Sequence, residues 1–255
     1  MAQSAPIDMP DSVPISVPIK ENERLDVIFG EGLEAPYPKN DGGLFVIQKK
    51  RGFRFGTDTV RLIDFAGRKA FRRGLDIGAG SGIIPIMLCA KYGAARFDAI
   101  EILDDYADMA RRSVDMNNMG GRIRIFHGDA LSARDFLKGE QYDLITCNPP
   151  YFTKTEVIAA ADASVDTARS SDKLTPAAIA RIAAVFLTTA GRLCVVMPAH
   201  RFLEMCDAVR EHGITPKRAQ FIQDAIDKPP YLILLECIRR AKPGLHYEPV
   251  MLIHP

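Results

Sequence analysis

The feature that most constrains the fold of this chain is a regular alternation of strand and helix patterns between residues 74 and 213. Short apolar runs rich in β-branched residues alternate with longer stretches of helical period. Because alternation at this spacing builds a parallel sheet covered on both faces, we predict an α/β fold whose ligands bind at the carboxyl ends of the strands. The predicted strands cover 44–48, 74–79, 96–101, 122–128, 142–147 and 192–198, with a closing antiparallel pair at 214–222 and 231–238.

The helix patterns have recognisable ends. Thr57 is positioned to cap a first helix, and Thr175 followed by Pro176 opens a later one that Gly191 is expected to close. Between them, helices are predicted over 82–92, 104–118 and 131–138, and a last one ends at 212–213.

Length and composition limit how the chain can be divided into domains. With 255 residues, of which 47% are apolar and 25% charged, the chain is large enough for one globular domain with a sizeable core. We predict a Pro-rich tail over 1–23, one domain over 24–250 and a C-terminal tail over 241–255; in the domain, a cap with a basic segment (24–73) precedes the core (74–240).

The same composition excludes several classes of protein. No apolar run reaches the roughly 18 residues of a membrane span, and the N-terminus lacks the basic and apolar regions of a signal peptide. The five cysteines are scattered, which predicts reduced thiols and a cytoplasmic protein, and neither Cys nor His shows the spacing of metal ligands. The net charge of +1 means that any nucleic-acid binding must depend on local basic patches.

The segment LDIGAGSG (75–82) joins a predicted strand to a helix and has the character of a ligand-binding turn. Gly78 and Gly80 allow a tight turn and a close approach to a ligand. Gly82, however, comes one residue before the third glycine of a dinucleotide fingerprint, and Ile83 stands where that fingerprint needs a small residue. Asp76 at the strand end would repel a phosphate and attract an ammonium or sulfonium group. This pattern indicates S-adenosylmethionine, with an ordinary strand-to-helix turn as the alternative.

Two further acidic residues follow neighbouring strands. Glu101 ends the second strand of the alternating region, where a carboxylate accepts hydrogen bonds from a ribose diol. Asp129 follows the third strand and is placed to accept from the amino group of an adenine, although it is equally suited to cap the next helix.

The segment CNPPYF (147–152) ends the fourth of these strands in a rigid corner. Two prolines without N–H groups stop the strand, and Asn148 is held extended. The Asn148 carboxamide oxygen and the Pro149 carbonyl are acceptors, while Tyr151 and Phe152 are flat surfaces for a base. Acceptors placed on the N–H bonds of a planar nitrogen stabilise the charge that develops as it attacks a methyl sulfonium. The alternative is a plain strand-ending turn.

Together these residues resemble the class I S-adenosylmethionine-dependent methyltransferases of the Asn-Pro-Pro-Tyr type, and most of all the tRNA1(Val) (adenine-37-N6)-methyltransferase family. The resemblance implies a Rossmann-like, mostly parallel seven-stranded sheet with helices on both faces and an antiparallel last strand. It also implies S-adenosylmethionine as cofactor, S-adenosylhomocysteine as product and no metal. The similar segments are ENERLD (21–26), GFRFGTDTVRLIDFA (52–66), LDIGAGSGIIPIML (75–88), ADMARRSVDMN (107–117), YDLITCNPPYF (142–152) and KPGL (242–245).

The family pattern also implies roles for individual residues. The donor would be held by its methionine part, its ribose and its adenine, and the target base by the Asn-Pro-Pro-Tyr corner. Relatives often carry Ala-Arg-His-Glu after that corner, whereas this chain reads Ala-Arg-Ser-Ser at 168–171, which bears on the acceptor RNA and not on the chemistry. The implied set is Asp76, Gly78 and Gly80 on the methionine part, with Gly56, Thr57 and Asp58 closing over it; Glu101 on the ribose; Asp129 on the adenine; and Asn148, Pro149 and Tyr151 on the target base, with Asn148 also facing the donor.

A basic segment precedes the glycine turn. Residues 49–73 hold nine basic and two acidic residues in a chain whose total charge is only +1. Such a concentration suits contacts with RNA phosphates, although a solvated helix face is the plainer alternative. The residues we expect to contact the RNA are Lys49, Lys50, Arg51, Arg54, Pro150, Phe152 and Arg169.

We therefore predict transfer of a methyl group to the N6 of an adenine in RNA, with tRNA as the favoured partner. Three alternatives stay open: N5 methylation of a protein glutamine, methylation of DNA adenine, and a non-catalytic RNA-binding or assembly protein that retains the fold. Glutamine methyltransferases carry a helical N-terminal module, and residues 1–56 show no helical period. The sequence does not determine the oligomeric state, and a monomer is assumed.

Overall fold

The computed structural model describes residues 17–28, 43–51, 54–93, 95–149 and 174–253. Within these residues, nine strands form one sheet in the order β10-β8-β9-β7-β6-β3-β4-β5, with β11 also paired to β8, and two form a separate hairpin, β1-β2. Every pairing in the nine-stranded sheet is parallel except those of β9 with β7 and β8. The strands are β1 (Glu23–Ile28), β2 (Leu44–Lys49), β3 (Arg73–Ile77), β4 (Arg96–Glu101), β5 (Ile123–His127), β6 (Tyr142–Cys147), β7 (Leu187–Pro198), β8 (Ile214–Gln223), β9 (Leu232–Arg239), β10 (His246–Tyr247) and β11 (Met251–Leu252).

Helices cover both faces of the nine-stranded sheet. One apolar cluster joins α1 and α2 to side chains such as Phe97 and Leu144 of the sheet, and another joins α4 and α5 to Leu75 and Ile145. The helices of the described residues are α1 (Thr57–Ala66), α2 (Ile83–Lys91), α3 (Asp104–Met116), α4 (Pro176–Phe186) and α5 (Phe202–Glu211), with 3-10 turns at Ala130–Asp135 and Ala199–Arg201. None of these helices is long and apolar enough to cross a bilayer.

Two predicted helix ends are wrong, and the helix predicted over 131–138 is instead the 3-10 turn Ala130–Asp135. Thr57 is the first residue of α1, and the cap position belongs to Gly56, which makes no side-chain capping bond. The helix opened by Pro176 ends at Phe186, because Leu187 already pairs with Tyr142 in the sheet. Gly191 lies inside β7 instead, where an added Cβ would come within 3.0 Å of two backbone oxygens.

The other end of α4 follows the predicted rule. The Thr175 hydroxyl accepts a hydrogen bond from the Ala178 amide at 3.2 Å, and Pro176 occupies the first turn, where its missing N–H costs nothing. The closing antiparallel pair is also confirmed, as β8 and β9.

The β1–β2 hairpin packs on α3 and places the chain that leads into α1. Phe45 and Ile47 of β2 lie against Tyr106 and Met109 of α3 in a separate apolar cluster. Asn117, which follows α3 directly, donates from its side chain to the Phe45 carbonyl at 2.7 Å and accepts from the Phe45 amide at 2.9 Å. These two bonds satisfy backbone groups of β2 at the edge of the two-stranded sheet.

Candidate active site

The glycine turn and the Asn-Pro-Pro-Tyr corner begin side by side. Strands β3 and β6 are neighbours, with Ile77 opposite Cys147 in the register. Gly78 and Asn148 are the next residues of the two strands, so their backbones leave the sheet about one strand spacing, roughly 4.8 Å, apart. The residues predicted to hold a methyl donor and a target base therefore share one edge of the sheet.

The backbone of the glycine turn is fixed by the neighbouring strand. The amides of Gly78 and Ala79 both donate to the Ile100 carbonyl, at 2.9 and 3.0 Å. Gly78 and Gly80 have φ values of +73° and +55°, a region that favours glycine. A Cβ at Gly78 would lie 3.3 Å from the side chain of Leu174, where the described chain resumes after the corner.

Asp76 is fully buried at the end of β3. Its Oδ1 accepts a hydrogen bond from the Thr146 hydroxyl at 2.7 Å, while Oδ2 has no hydrogen-bond partner within the described residues. The pKa of Asp76 is raised to about 7, chiefly by burial; the hydrogen bond from Thr146 lowers it, and the charge of Glu101 contributes to the increase. A buried acceptor left without a partner is costly, and an ammonium group would satisfy it. This side chain therefore fits the cationic methionine part of S-adenosylmethionine.

Glu101 links β4 to the glycine turn. Its Oε2 accepts from the Gly80 amide at 2.8 Å and its Oε1 from the Leu103 amide at 2.9 Å. Burial raises the pKa of this carboxyl group, while its bonds from backbone amides lower it. These two hydrogen bonds fix the orientation of the carboxylate. Because each carboxylate oxygen can accept more than one hydrogen bond, both oxygens retain capacity for the hydroxyls of a ribose.

Asp129 serves as a cap in the structure. Its Oδ1 accepts from the Leu131 amide at 3.0 Å, at the start of the 3-10 turn Ala130–Asp135. This is the alternative that the sequence left open for Asp129, and a contact with the donor adenine stays a prediction.

Asn148 is held by a residue that the sequence reasoning missed. The Asn148 side chain, 8% exposed, donates from Nδ2 to the Thr59 hydroxyl at 2.8 Å. Thr59 lies in the first turn of α1, so this bond brings the segment Gly56–Thr57–Asp58 beside the corner. The available signal was a polar residue on the buried face of the helix, in line with Leu62 and Ile63.

The basic segment is divided between two edges of the sheet. Lys49 pairs with Asp105, just beyond the carboxyl end of β4, and Lys50 donates to the Glu21 carbonyl at 2.8 Å. Arg51 and Arg54 are exposed and take no part in an ion pair within the described part of the chain. At the opposite edge, where β3 begins, three basic residues pair with acidic ones: Arg68 with Glu248, Lys69 with Glu236 and Arg73 with Glu140. Only the first part of the segment therefore flanks the site.

Several predicted site residues lie outside the described residues: Pro150, Tyr151, Phe152 and Arg169. Pro149, the last described residue of the corner, is buried. Among the described residues, no group of three or more His, Cys, Asp or Glu side chains is placed to hold a metal ion.

Comparison with known proteins gives a consistent result. The family model of the methyltransferase small domain matches residues 55–215. A tRNA1(Val) (adenine(37)-N6)-methyltransferase of Parabacteroides distasonis is 30% identical over 189 residues, which cover 73% of this chain and 77% of the relative. A protein of the same name from Yersinia pestis is 32% identical over 200 residues, or 77% of this chain and 79% of the relative.

Solved structures share the fold. A predicted O-methyltransferase from Agrobacterium tumefaciens superposes with a TM-score of 0.59 at 19% identity, over 76% of this chain and 87% of its own. The human methyltransferase 10 domain containing protein gives a TM-score of 0.52 at 17% identity, over 72% and 83%. The predicted class I methyltransferase fold is thus confirmed.

Proposed function

Because the chain belongs to the methyltransferase small domain family, we propose that it transfers the methyl group of S-adenosylmethionine to the N6 of an adenine in a tRNA. The observation that carries the proposal is the register of β3 and β6, which starts the glycine turn and the Asn148 corner side by side. The names of the curated relatives support tRNA as the acceptor and adenine 37 as the first position to test.

On this proposal, the side chains of Asp76 and Glu101 hold the donor, which supplies an electrophilic methyl carbon on its sulfonium. The Asp76 Oδ2 accepts a hydrogen bond from the ammonium of the methionine part, and the cation lowers the cost of the buried charge. The Glu101 carboxylate, already oriented by the amides of Gly80 and Leu103, accepts from the ribose hydroxyls.

The Asn148 corner prepares the nucleophile. The lone pair of an adenine N6 is delocalised into the ring, so the nitrogen attacks poorly unless the developing positive charge is stabilised. The Asn148 Oδ1 and the Pro149 carbonyl accept the two N–H bonds and hold the nitrogen in line with the methyl carbon. The lone pair then forms the N–C bond as the S–C bond breaks, and the nitrogen afterwards loses one proton to water. Tyr151 is proposed to stack on the base.

The RNA is proposed to approach across the side of the site that carries Lys50, Arg51 and Arg54. All three side chains are exposed, and they follow β2 at the edge where Lys49 meets the start of α3. Positive charge at this place suits the phosphates around a flipped-out adenine. We also propose a cytoplasmic location, which the five free, buried cysteines support.

The test is Asn148→Ala, with Asn22→Ala in an exposed turn as the matched control. The protein is incubated with labelled donor and with candidate acceptors from a strain that lacks its gene: total tRNA, total rRNA, DNA and total protein. The labelled class is then identified, for nucleic acids by nucleoside analysis. We expect N6-methyladenosine in tRNA, a loss of about 10²–10³-fold in the rate for Asn148→Ala, and no change for the control. Donor binding, measured by calorimetry, should survive the substitution.

Two results would overturn this proposal. Turnover of Asn148→Ala within a few-fold of the unaltered protein would remove the role given to the carboxamide. Label in a protein glutamine, or in DNA alone, would transfer the chemistry to a different acceptor.

A further inference from the structure

We propose that Thr59 is a positioning residue that fixes which way the Asn148 carboxamide faces, so that its oxygen and not its NH2 group meets the target nitrogen. The inference rests on the proposed function, because the orientation matters only if the corner receives an amine. Helix α1, through Thr59, then helps to position the Asn148 side chain at the end of β6.

The contacts form a short chain of hydrogen bonds. The Asn148 Nδ2 donates to the Thr59 hydroxyl at 2.8 Å, although the two residues are 89 positions apart in the sequence. The Thr59 hydroxyl is in turn 3.5 Å from the Asp58 Oδ1, which also accepts from the Thr59 backbone amide at 2.8 Å. Thr59 is 3% exposed, so water has little access to its hydroxyl.

The direction of these hydrogen bonds follows from which groups can donate and which can only accept. The Thr59 hydroxyl donates its single hydrogen towards the Asp58 Oδ1, because a carboxylate oxygen is a hydrogen-bond acceptor. The hydroxyl oxygen is then available to Asn148 only as an acceptor. An acceptor at this place favours the amide orientation with Nδ2 towards Thr59, and Oδ1 consequently lies on the opposite branch of the carboxamide.

The orientation decides whether the corner assists the reaction. An adenine N6 has two N–H donors, so an amide rotated by 180° would set the Asn148 NH2 group against another donor. That arrangement leaves a polar group without a partner in a dry site and removes the stabilisation of the developing charge. A hydroxyl at position 59 therefore acts on the rate of transfer through Asn148, without touching the substrate.

The experiment compares Thr59→Val, which keeps the shape of the side chain, with Thr59→Ser, which keeps the hydroxyl. We expect Thr59→Val to lower kcat at least tenfold while the Kd for S-adenosylmethionine stays within twofold, and Thr59→Ser to recover most of kcat. Thr215→Val is the matched control, because the Thr215 hydroxyl also makes a hydrogen bond, to the Ala241 carbonyl at 2.9 Å, but lies in β8 and not in α1. A kcat for Thr59→Val within twofold of the unaltered protein would overturn the inference.

A second measurement does not depend on the identity of the acceptor. In ¹⁵N spectra of the side-chain amides, the Asn148 signal is assigned by its loss in Asn148→Ala. We expect one of its protons to exchange slowly with solvent in the unaltered protein and in Thr59→Ser, and rapidly in Thr59→Val. Equal exchange in all three would refute the positioning role. If the exchange difference is present but no RNA is methylated, the proposed function fails while the contact stands.

Discussion

Replacing the buried Asp76 by Asn should make the ligand-free protein more stable and a weaker binder of its donor. The side chain has no exposed surface, and one of its two oxygens has no hydrogen-bond partner within the described residues. Asn has nearly the same shape and is neutral, so it mimics the protonated acid. The substitution therefore removes the cost of burying a charge while leaving the packing in place.

The magnitude follows from the pKa. Burial raises the pKa of Asp76 from 3.8 to about 7. An acid whose pKa is raised on folding contributes stability below the unfolded value, and this contribution is lost as the pH rises towards 7. The loss is about 1.4 kcal/mol per pH unit up to the pKa near 7 and levels off above it, so between pH 5 and pH 8 it amounts to about 3 kcal/mol. Asn has no such loss, so the advantage of Asp76→Asn should grow by this amount over the same interval.

Thermal unfolding measured from pH 5 to pH 8 tests this expectation. For a chain of this size, about 3 kcal/mol corresponds to a relative increase in Tm of roughly 6–12 °C. Asp115→Asn, on the exposed side of α3, controls for the loss of a carboxylate. A difference in Tm between Asp76→Asn and the unaltered protein that is constant with pH would refute the argument.

The same variant should lose donor affinity. A hydrogen bond to a charged group contributes about 1.5–3 kcal/mol, so calorimetry with S-adenosylhomocysteine should show a Kd raised about 10- to 100-fold. Unchanged affinity would mean that Asp76 does not meet the ammonium group, whatever the stability data show.

The other predictions concern charge. The double variant Arg51→Ser/Arg54→Ser should weaken tRNA binding at low salt and reduce the slope of log K against log [salt] by about 1.4–1.8, because each phosphate contact contributes about 0.7–0.9. Glu236→Ala should lower the free energy of unfolding in urea by about 3–5 kcal/mol, since it leaves the buried guanidinium groups of Arg192 and Arg218 without their shared carboxylate.

Each of these has a matched control. Arg72→Ser/Arg96→Ser removes two exposed arginines at the opposite edge of the sheet and should leave the salt slope unchanged; an equal effect of both pairs would argue against a localised RNA surface. Lys69→Ala removes the exposed partner of Glu236 and should cost less than about 1 kcal/mol. A comparable loss of stability in Lys69→Ala and Glu236→Ala would contradict the role assigned to Glu236 as the shared partner of the two buried arginines.

The strands of the fold were largely predictable because their signal is local. The patterns at 96–101 and 142–147 match β4 and β6 at both ends, since a buried strand needs a short apolar run between turn residues. The end of α4 was not predictable from local preference. It is set by pairing of Leu187 with Tyr142, a contact between residues far apart in the chain.

The site shows the same division. The sequence by itself determined the residue types that suit methyl transfer: the glycine turn, the buried Asp76 and the proline corner after Asn148. Only the tertiary structure decided that Thr59 contacts Asn148, that Asp129 caps a 3-10 turn, and that the basic segment is divided between two edges. Local geometry follows from neighbouring residues, whereas these contacts depend on strand register and on helix packing between distant parts of the chain.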